Sequence, residues 1–345
     1  MYAISKIKRK LLIFYWSILG LRYQINNFKE IKNQKKIKNY KYILGVYDYD
    51  SFQSPYSIGD FLCYLFFYKS FYSHKKKIDF LIIVEKNKLN NFKKKILKIQ
   101  ILMTRFFLSK YLNKIKVCSW SEFLKGNYND YYIPYKNDVF LRKDLRLCFV
   151  SMYNKILKNS NSKILKEFLI KKNDFNFYKR KFSKKYITWH IRYNPGWSQL
   201  RNIKINEFLE VYKILKKKIK KTPIVIISDE QGCNFAKKIK KKEKLDLIFC
   251  KDISKSIFSD FNLIMNSKLF FCFKAGGVLV IPWFSKLSFV WGGTIGLKNQ
   301  YISGRSISIS KLFFWQTKNQ IWINSNSFEY FKEKVKEIDF KRFGI

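Results

Sequence analysis

A histidine and an arginine stand two residues apart at the end of a strand predicted over 186–191. The side chains of His190 and Arg192 therefore share one face of that strand. An arginine in this place can bind a diphosphate through two charge-assisted hydrogen bonds. Pairing of the same guanidinium with a surface carboxylate is the alternative. Arg201 and Asn202 follow soon after and could supply a second polar clamp.

A glycine pair forms the second candidate, in the turn Lys274-Ala275-Gly276-Gly277. The turn follows a predicted strand and opens a short helix. Backbone N–H groups at a helix start bind phosphate, and glycine lets a ligand approach the backbone closely. The spacing of a P-loop is absent. A plain tight turn is therefore the alternative interpretation.

Carboxylates also follow strands in both halves of the chain. Asp229 lies just after the strand 224–227 and could accept a hydrogen bond from a ribose or a base, although capping of the next helix explains it equally well. In the first half, Asp48, Asp50 and Asp60 follow the first strand. A carboxylate there could deprotonate an acceptor hydroxyl. Turn formation and helix capping are the alternatives for all three.

These residues need strands and helices in regular alternation to position them. Apolar runs predict strands at 186–191, 224–227, 247–250, 269–273 and 287–291, the last of the chain, and helical spacing fills the intervals between them. Runs without polar alternation are typical of a parallel sheet covered on both faces. The second half therefore predicts a doubly wound parallel sheet, whose ligands bind outside the carboxyl ends of the strands.

The first half repeats the pattern more weakly. Strands are predicted at 42–47, 80–84 and 115–118 and a helix over 57–71, whereas 119–140 looks irregular and 144–169 helical. We therefore expect an α/β protein with two doubly wound Rossmann-like domains facing a cleft. The predicted boundaries are a basic and apolar segment over 1–40 and domains over 41–180 and 181–345, the second ending in a helix.

The composition limits the class of protein. Lys and Arg number 70 among 345 residues against 24 Asp and Glu, a net charge of +46, and 47% of the residues are hydrophobic. That apolar content excludes a disordered chain. Only ten of the basic residues are Arg. The charge reflects either a lysine-rich composition spread over solvated helix faces or an anionic partner. Its even spread along the chain weakens the case for nucleic acid.

Six cysteines and two histidines lack the clustering of a metal site or a disulfide scaffold. No CxxC spacing occurs, and the only histidines are His74 and His190. We expect small buried thiols in a reducing compartment.

The N-terminus combines a basic run with an apolar one. Four basic residues lie within 6–10, and 11–21 is almost wholly apolar. This resembles the start of a signal peptide, but no small-residue cleavage site follows. A spanning helix needs about 20 apolar residues, so the run is too short. An interfacial anchor helix, an ordinary docked helix and an uncleaved signal remain open, and 22–40 reads as a linker or loose helix. We expect a cytoplasmic protein, peripheral on the inner face of a membrane if the segment is an anchor.

At His190-Ile191-Arg192, with the strand–helix alternation behind it, the sequence resembles the fucosyltransferase-like group of GT-B glycosyltransferases. Their donor domain ends its first strand in a His-x-Arg motif. The similarity runs loosely from Tyr186 to Gly293 and includes 260–264 leading into a strand. The family continues its motif with Arg and an acidic residue, where this chain has 193–195 reading Tyr-Asn-Pro.

The resemblance implies a glycosyltransferase, with GDP-fucose as the family's donor. Residues 181–345 would bind the nucleotide sugar and 41–180 a surface polysaccharide or glycolipid. Arg192 would hold the diphosphate, supported by the turn, with Lys274 in place of the family's Ser or Thr. Arg192 would act in catalysis, and Asp50 or Asp60 would be the base.

No metal is expected, because cationic side chains can neutralise the departing diphosphate. An anionic membrane surface would suit the N-terminus and the positive charge. Two alternatives remain open. The first is a polysaccharide pyruvyl transferase-like enzyme, which the loop at Gly59-Asp60 would also fit. The second is a basic nucleic-acid-binding protein, although no RRM, KH, zinc-finger or helix-turn-helix signature supports it.

Overall fold

The computed structural model describes residues 2–52, 55–72, 75–145, 169–178, 185–196, 199–274, 276–293 and 316–345. His74 and most of the predicted helix over 144–169 lie outside these ranges. The described residues up to 145 belong to one compact unit, and those from 169 onward belong to a second. Each unit is built on a parallel β-sheet with helices in the connections. The predicted class, α/β with two Rossmann-like domains, is thereby confirmed.

Unit 1 contains a four-stranded parallel sheet. Its strands are β1 (Tyr42–Asp48), β2 (Ile78–Ile83), β3 (Leu112–Cys118) and β4 (Tyr131–Tyr132), in the order β3-β2-β1-β4. Its helices are α1 (Tyr2–Asn33), α2 (Ile58–Phe71), α3 (Asn91–Phe107), α4 (Trp120–Leu124) and α5 (Lys136–Phe140). The strand β4 falls within the stretch that was predicted to be irregular.

The core of unit 1 forms where α2 packs on the sheet. Both faces of β1 and β2 are buried, as the unbroken apolar runs predict. The aromatic rings of Tyr47, Tyr64 and Phe80 meet edge to face within this core. A Cβ at Gly45 would lie 2.7 Å from the Phe80 ring. Glycine at this position therefore leaves room for the Phe80 ring of the neighbouring strand β2.

The helix α1 continues to Asn33, so of the two interpretations given for residues from 22 onward the structure shows the helix and not the linker. A buried carboxylate explains the continuity. Glu30 accepts hydrogen bonds from the hydroxyls of Tyr72 (2.7 Å) and Tyr132 (2.6 Å) and from the backbone N–H of Tyr135 (3.0 Å). Burial raises the pKa of Glu30, and these hydrogen bonds act in the opposite direction. The polar face of α1 is therefore its docked face.

Replacing Glu30 by alanine is expected to lower the free energy of unfolding by about 3 kcal/mol, because buried donors from three tyrosines lose their acceptor. Glu30→Gln retains one acceptor oxygen and should lose less. Urea unfolding followed by circular dichroism measures both. Equal stabilities of the alanine variant and the wild type would contradict this role for the carboxylate.

Unit 2 contains a six-stranded parallel sheet. Its strands are β5 (Ile187–His190), β6 (Ile224–Ile227), β7 (Ile248–Phe249), β8 (Phe270–Phe273), β9 (Phe289–Gly292) and β10 (Gln320–Ile323), in the order β10-β9-β8-β5-β6-β7. Its α-helices are α6 (Ile205–Ile219), α7 (Glu230–Glu243), α8 (Cys250–Ile253), α9 (Ile257–Asn266), α10 (Val280–Trp283) and α11 (Phe328–Glu337). The strand β10 corrects the prediction that 287–291 is the last strand.

The described cysteines carry free thiols. Cys118, Cys233, Cys250 and Cys272 are buried and Cys63 is half-buried, whereas Cys148 lies outside the described residues. Burial raises the pKa of the Cys272 thiol well above its usual value. Within the described ranges, no helix is both long enough and apolar enough to cross a lipid bilayer.

Candidate functional site

The strand order of unit 2 reverses between β5 and β8. The strands β6 and β7 lie on one side of β5, and β8, β9 and β10 lie on the other. In open parallel sheets, ligands bind outside the carboxyl ends of the strands at this reversal. His190 is the last residue of β5, and Gly276 follows β8. The fold thus brings two sequence-predicted motifs together at the expected ligand position.

His190 connects three strand ends through its ring nitrogens. Its Nε2 accepts a hydrogen bond from the backbone N–H of Gly276 (3.0 Å), and its Nδ1 lies 2.8 Å from the carbonyl oxygen of Ile227. Only a neutral ring protonated on Nδ1 satisfies both contacts. Burial, together with the positive charges of Arg192 and Arg201, lowers the pKa of His190 to about 4, while the hydrogen bond to Ile227 acts in the opposite direction. Both ring nitrogens of His190, a residue predicted to bind the donor, are thus engaged within the protein. His190 therefore positions the turn that follows β8.

Arg192 emerges half-buried from the same strand end. One of its terminal nitrogens donates to the side-chain oxygen of Asn202 (3.1 Å). Asn202 also accepts from the backbone N–H of Asn194 (2.9 Å) and donates to its carbonyl oxygen (2.8 Å). The ring of Tyr193 stacks on Phe235 at 4.1 Å. The loop after β5 is therefore fixed by its own side chains, which orient the guanidinium.

The positive charge of Arg201 acts on Arg192 at this edge of the sheet. Burial and the charge of Arg201 lower the pKa of Arg192, while Asp229 acts in the opposite direction. Neighbouring like charges repel each other, and an anion bound between them relieves that repulsion. Asn202 contacts Arg192, whereas the predicted clamp by Arg201 and Asn202 stays a prediction; the neighbouring positive charges suit a dianionic group such as a phosphate.

Asp229 has the capping role given as its alternative. Its side chain accepts from the backbone N–H of Gly232 (2.8 Å) at the start of α7. The neighbouring Ser228 donates its hydroxyl proton to the carbonyl oxygen of Ile191 (2.9 Å). Asp229 is therefore placed at the site edge by the helix it caps, and a contact with a ribose stays a prediction.

The turn after β8 differs from the expected helix start. Gly277–Leu279 forms a 3-10 turn, and α10 has only four residues, which is too short to develop a useful helix dipole. The N–H of Gly276 is already given to His190. This geometry therefore does not support phosphate binding by a helix N-terminus at Gly276 and Gly277. An anion here would depend on the arginine side chains.

Lys274 is paired with an acid that the sequence did not single out. Its ammonium lies 2.8 Å from Oε1 of Glu207, and 12% and 11% of the two side chains are exposed. The other oxygen of Glu207 accepts from the backbone N–H of Lys204 (2.9 Å) at the start of α6. The structure thus binds the Lys274 ammonium in an ion pair, where the resemblance implied a phosphate contact.

Gly276→Ala tests the tight contact between the turn and the histidine. An added Cβ would lie 2.8 Å from Nε2 of His190, which is closer than carbon and nitrogen approach without displacement. We expect a loss of about 1–2 kcal/mol in the free energy of unfolding. Gly196→Ala is the matched control, because its nearest neighbour would lie 3.6 Å away. Similar melting temperatures for both variants would argue against the contact.

Unit 1 gathers carboxylates at the end of β1. Asp48 is bound by Nε and Nη2 of Arg142 at 2.7 and 2.8 Å. Asp50 lies 3.1 Å from the same guanidinium and 3.3 Å from Lys88. Arg142 lies over the ring of Trp120 at 4.4 Å, and no motif in the sequence predicts this arginine. A carboxylate neutralised by a bidentate arginine is a poor base, which counts against Asp48.

Asp60 lies in the first turn of α2, where its backbone N–H donates to the hydroxyl of Ser57 (3.3 Å). Ser57, rather than Asp60, therefore caps the helix α2. The half-buried Asp60 carboxylate stays a predicted base. Among the described residues, no group of three or more His, Cys, Asp or Glu side chains could hold a metal ion.

Unit 2 is thus a Rossmann-type unit, and the residues at the ends of β5 and β8 form an edge that suits a bound anion. No family model matches the sequence, and no curated protein matches it. Among solved structures, the chain is similar to a family 9 glycosyl transferase from Veillonella parvula DSM 2008, with a TM-score of 0.40 and 10% identity over 87% of this chain and 90% of that one. It is also similar to UDP-GlcNAc 2-epimerase from Neisseria meningitidis bound to UDP-GlcNAc, with a TM-score of 0.35 and 10% identity over 88% of this chain and 92% of that one.

Proposed function

We propose that the protein is a glycosyltransferase that takes its sugar from a nucleoside-diphosphate donor bound at the carboxyl edge of unit 2. The observation that carries this proposal is Arg192 at the strand-order reversal, where the side-chain oxygen of Asn202 accepts a hydrogen bond from its guanidinium. Burial and then the charge of Arg201 lower the pKa of Arg192. A pyrophosphate carries the charge and the oxygen geometry that a guanidinium recognises.

The chemistry follows from the charge that develops on the leaving group. An acceptor hydroxyl oxygen forms the new bond to the anomeric carbon, and the bond from that carbon to the phosphate oxygen breaks. The electron pair leaves with the nucleoside diphosphate, where Arg192 and Arg201 stabilise it. The hydroxyl proton passes to a carboxylate. Asp60 is the favoured base, because Asp50 already faces two cations.

The proposal includes three finer points. We expect the acceptor to be a surface polysaccharide or glycolipid. The two arginines supply the positive charge that a metal ion would otherwise bring, so we expect metal-independent transfer. GDP-fucose is the first donor to try, because the His190-Ile191-Arg192 motif resembles that of fucosyltransferase-like enzymes.

A thermal-shift panel tests this proposal with the full chain. GDP-, UDP-, CMP- and ADP-sugars are compared at one concentration, since a ligand that binds only the folded state raises the melting temperature. One nucleotide class is expected to stabilise the protein and then to release its nucleoside diphosphate when a glycan acceptor is added. Stabilisation by duplex DNA or by phosphoenolpyruvate, with no response to any nucleotide sugar, would contradict the proposal.

A further inference from the structure

The helix α1 buries its polar face and exposes its apolar face, the reverse of an ordinary surface helix. Its docked side carries the polar Asn27 and Glu30, both buried. Its outward side carries large apolar residues that are 47–70% exposed, namely Leu11, Phe14, Ile18, Leu21, Ile25 and Phe28. A soluble helix normally buries the apolar face. These six residues, called the α1 stripe below, need an apolar environment that the described part of the chain does not supply.

The α1 stripe is continuous along the helix. Its residues are spaced three and four apart, which places them on one face. From Leu11 to Phe28 the stripe runs about 26 Å at 1.5 Å per residue. An extended linear surface of this length fits either a second helix or a lipid surface.

The width of the apolar surface favours lipid. A partner helix in a coiled coil covers only a narrow seam. Beside the seam, Leu12 and Tyr15 are also 42% and 53% exposed. Every residue of 11–18 whose side chain the structure describes is exposed. Apolar surface therefore extends around the helix beyond what one partner helix would cover.

The charges of α1 favour an anionic surface over a second copy. The helix contains one acidic residue, Glu30, and it is buried against tyrosine hydroxyls. Seven basic residues share the helix, and Arg22, Lys29 and Lys32 are exposed along its described part. Two such helices would oppose cations with no carboxylate between them. Anionic headgroups would pair with the same cations while the stripe enters the acyl boundary.

We propose that α1 lies in the interface of a bilayer rich in anionic lipid, with the α1 stripe inserted and the basic residues at the headgroups. This inference is independent of the donor site. The protein would be held on one leaflet, and binding would need both the apolar stripe and the positive charge.

Vesicle sedimentation of the full chain tests the proposal. Vesicles of phosphatidylglycerol with phosphatidylcholine are expected to bind the protein at least about tenfold more tightly than phosphatidylcholine alone. Phe14→Glu and Leu21→Glu should each weaken that binding by about tenfold or more, because a charge enters the inserted face. Phe92→Glu is the matched control, since Phe92 is 63% exposed on α3 of the same unit, and it should bind like the wild type.

Unchanged binding by Phe14→Glu and Leu21→Glu would overturn the proposal, because the general positive charge would then suffice. A dimer in sedimentation velocity that the same two substitutions dissociate, without vesicle binding, would also overturn it in favour of a second copy. Circular dichroism and melting temperatures equal to those of the wild type are expected for both variants, because the substituted side chains are exposed.

Discussion

Arg192→Ala is expected to lower sugar transfer by about 10²- to 10³-fold, the usual effect of removing one group that stabilises developing charge. Its guanidinium is half-buried at the strand-order reversal and is held there by Asn202. The loss should fall mainly on turnover, because the negative charge on the diphosphate grows as the glycosidic bond breaks. Release of nucleoside diphosphate measures the rate directly.

Two companion variants make this result specific. Arg192→Lys keeps the charge but loses the two-pronged geometry, so it should recover part of the activity. Arg105→Ala removes an exposed arginine on α3 and should leave transfer unchanged. Wild-type activity in Arg192→Ala would remove this residue from the reaction, provided that its melting temperature shows a folded protein.

The free energy of unfolding is expected to fall as pH is lowered from about 6.5 to about 4, and His190 is the reason. The folded protein keeps this histidine neutral, because its pKa is lowered to about 4. In the unfolded chain the pKa of a histidine side chain is about 6.5. Between these values the unfolded chain binds more protons. The stabilisation is therefore complete above about pH 6.5 and is lost toward about pH 4, by roughly 3 kcal/mol in total.

His190→Phe isolates this effect. The variant cannot titrate at this position, so the difference between its pH profile and that of the wild type reports His190 alone. Other groups, such as the buried Glu30, contribute equally to both profiles. The variant should also lose about 2–4 kcal/mol at pH 7, because the Gly276 N–H and the Ile227 carbonyl lose their partner. Urea unfolding across pH 4–8 gives both numbers, and parallel profiles for the two proteins would refute the neutral histidine.

The sequence predicted the parts of the fold that are encoded locally. The strands β5, β6 and β8 are buried on both faces, so each appears as an unbroken apolar run. The strand β4 has two residues and β10 mixes polar and apolar ones, so neither leaves a clear pattern. The sequence leaves a linker and a loose helix open from residue 22 onward because the docked face of α1 is polar, the reverse of the usual signal.

The types of residue at the site could be predicted from the sequence, but the contacts between them could not. His190 and Arg192 lie on one strand face, and their place at its end follows from the sequence. The contact from His190 to Gly276 spans 86 residues, and that from Lys274 to Glu207 spans 67. Arg142 reaches Asp48 across 94 residues from a left-handed turn position with φ 51°. Pairings between residues so far apart in the sequence depend on the tertiary fold. The sequence alone therefore predicts a phosphate contact for Lys274 and not its ion pair with Glu207.

A crystal structure with the stabilising nucleoside diphosphate would show where the donor phosphates bind. Phosphate oxygens are expected within hydrogen-bond distance of the Arg192 guanidinium, beyond the ends of β5 and β8. A surface groove in the same unit, lined by Lys237, Lys240, Lys241 and Lys244, offers a competing basic location. A nucleotide found in that groove, with the edge of β5 and β8 empty, would contradict the account.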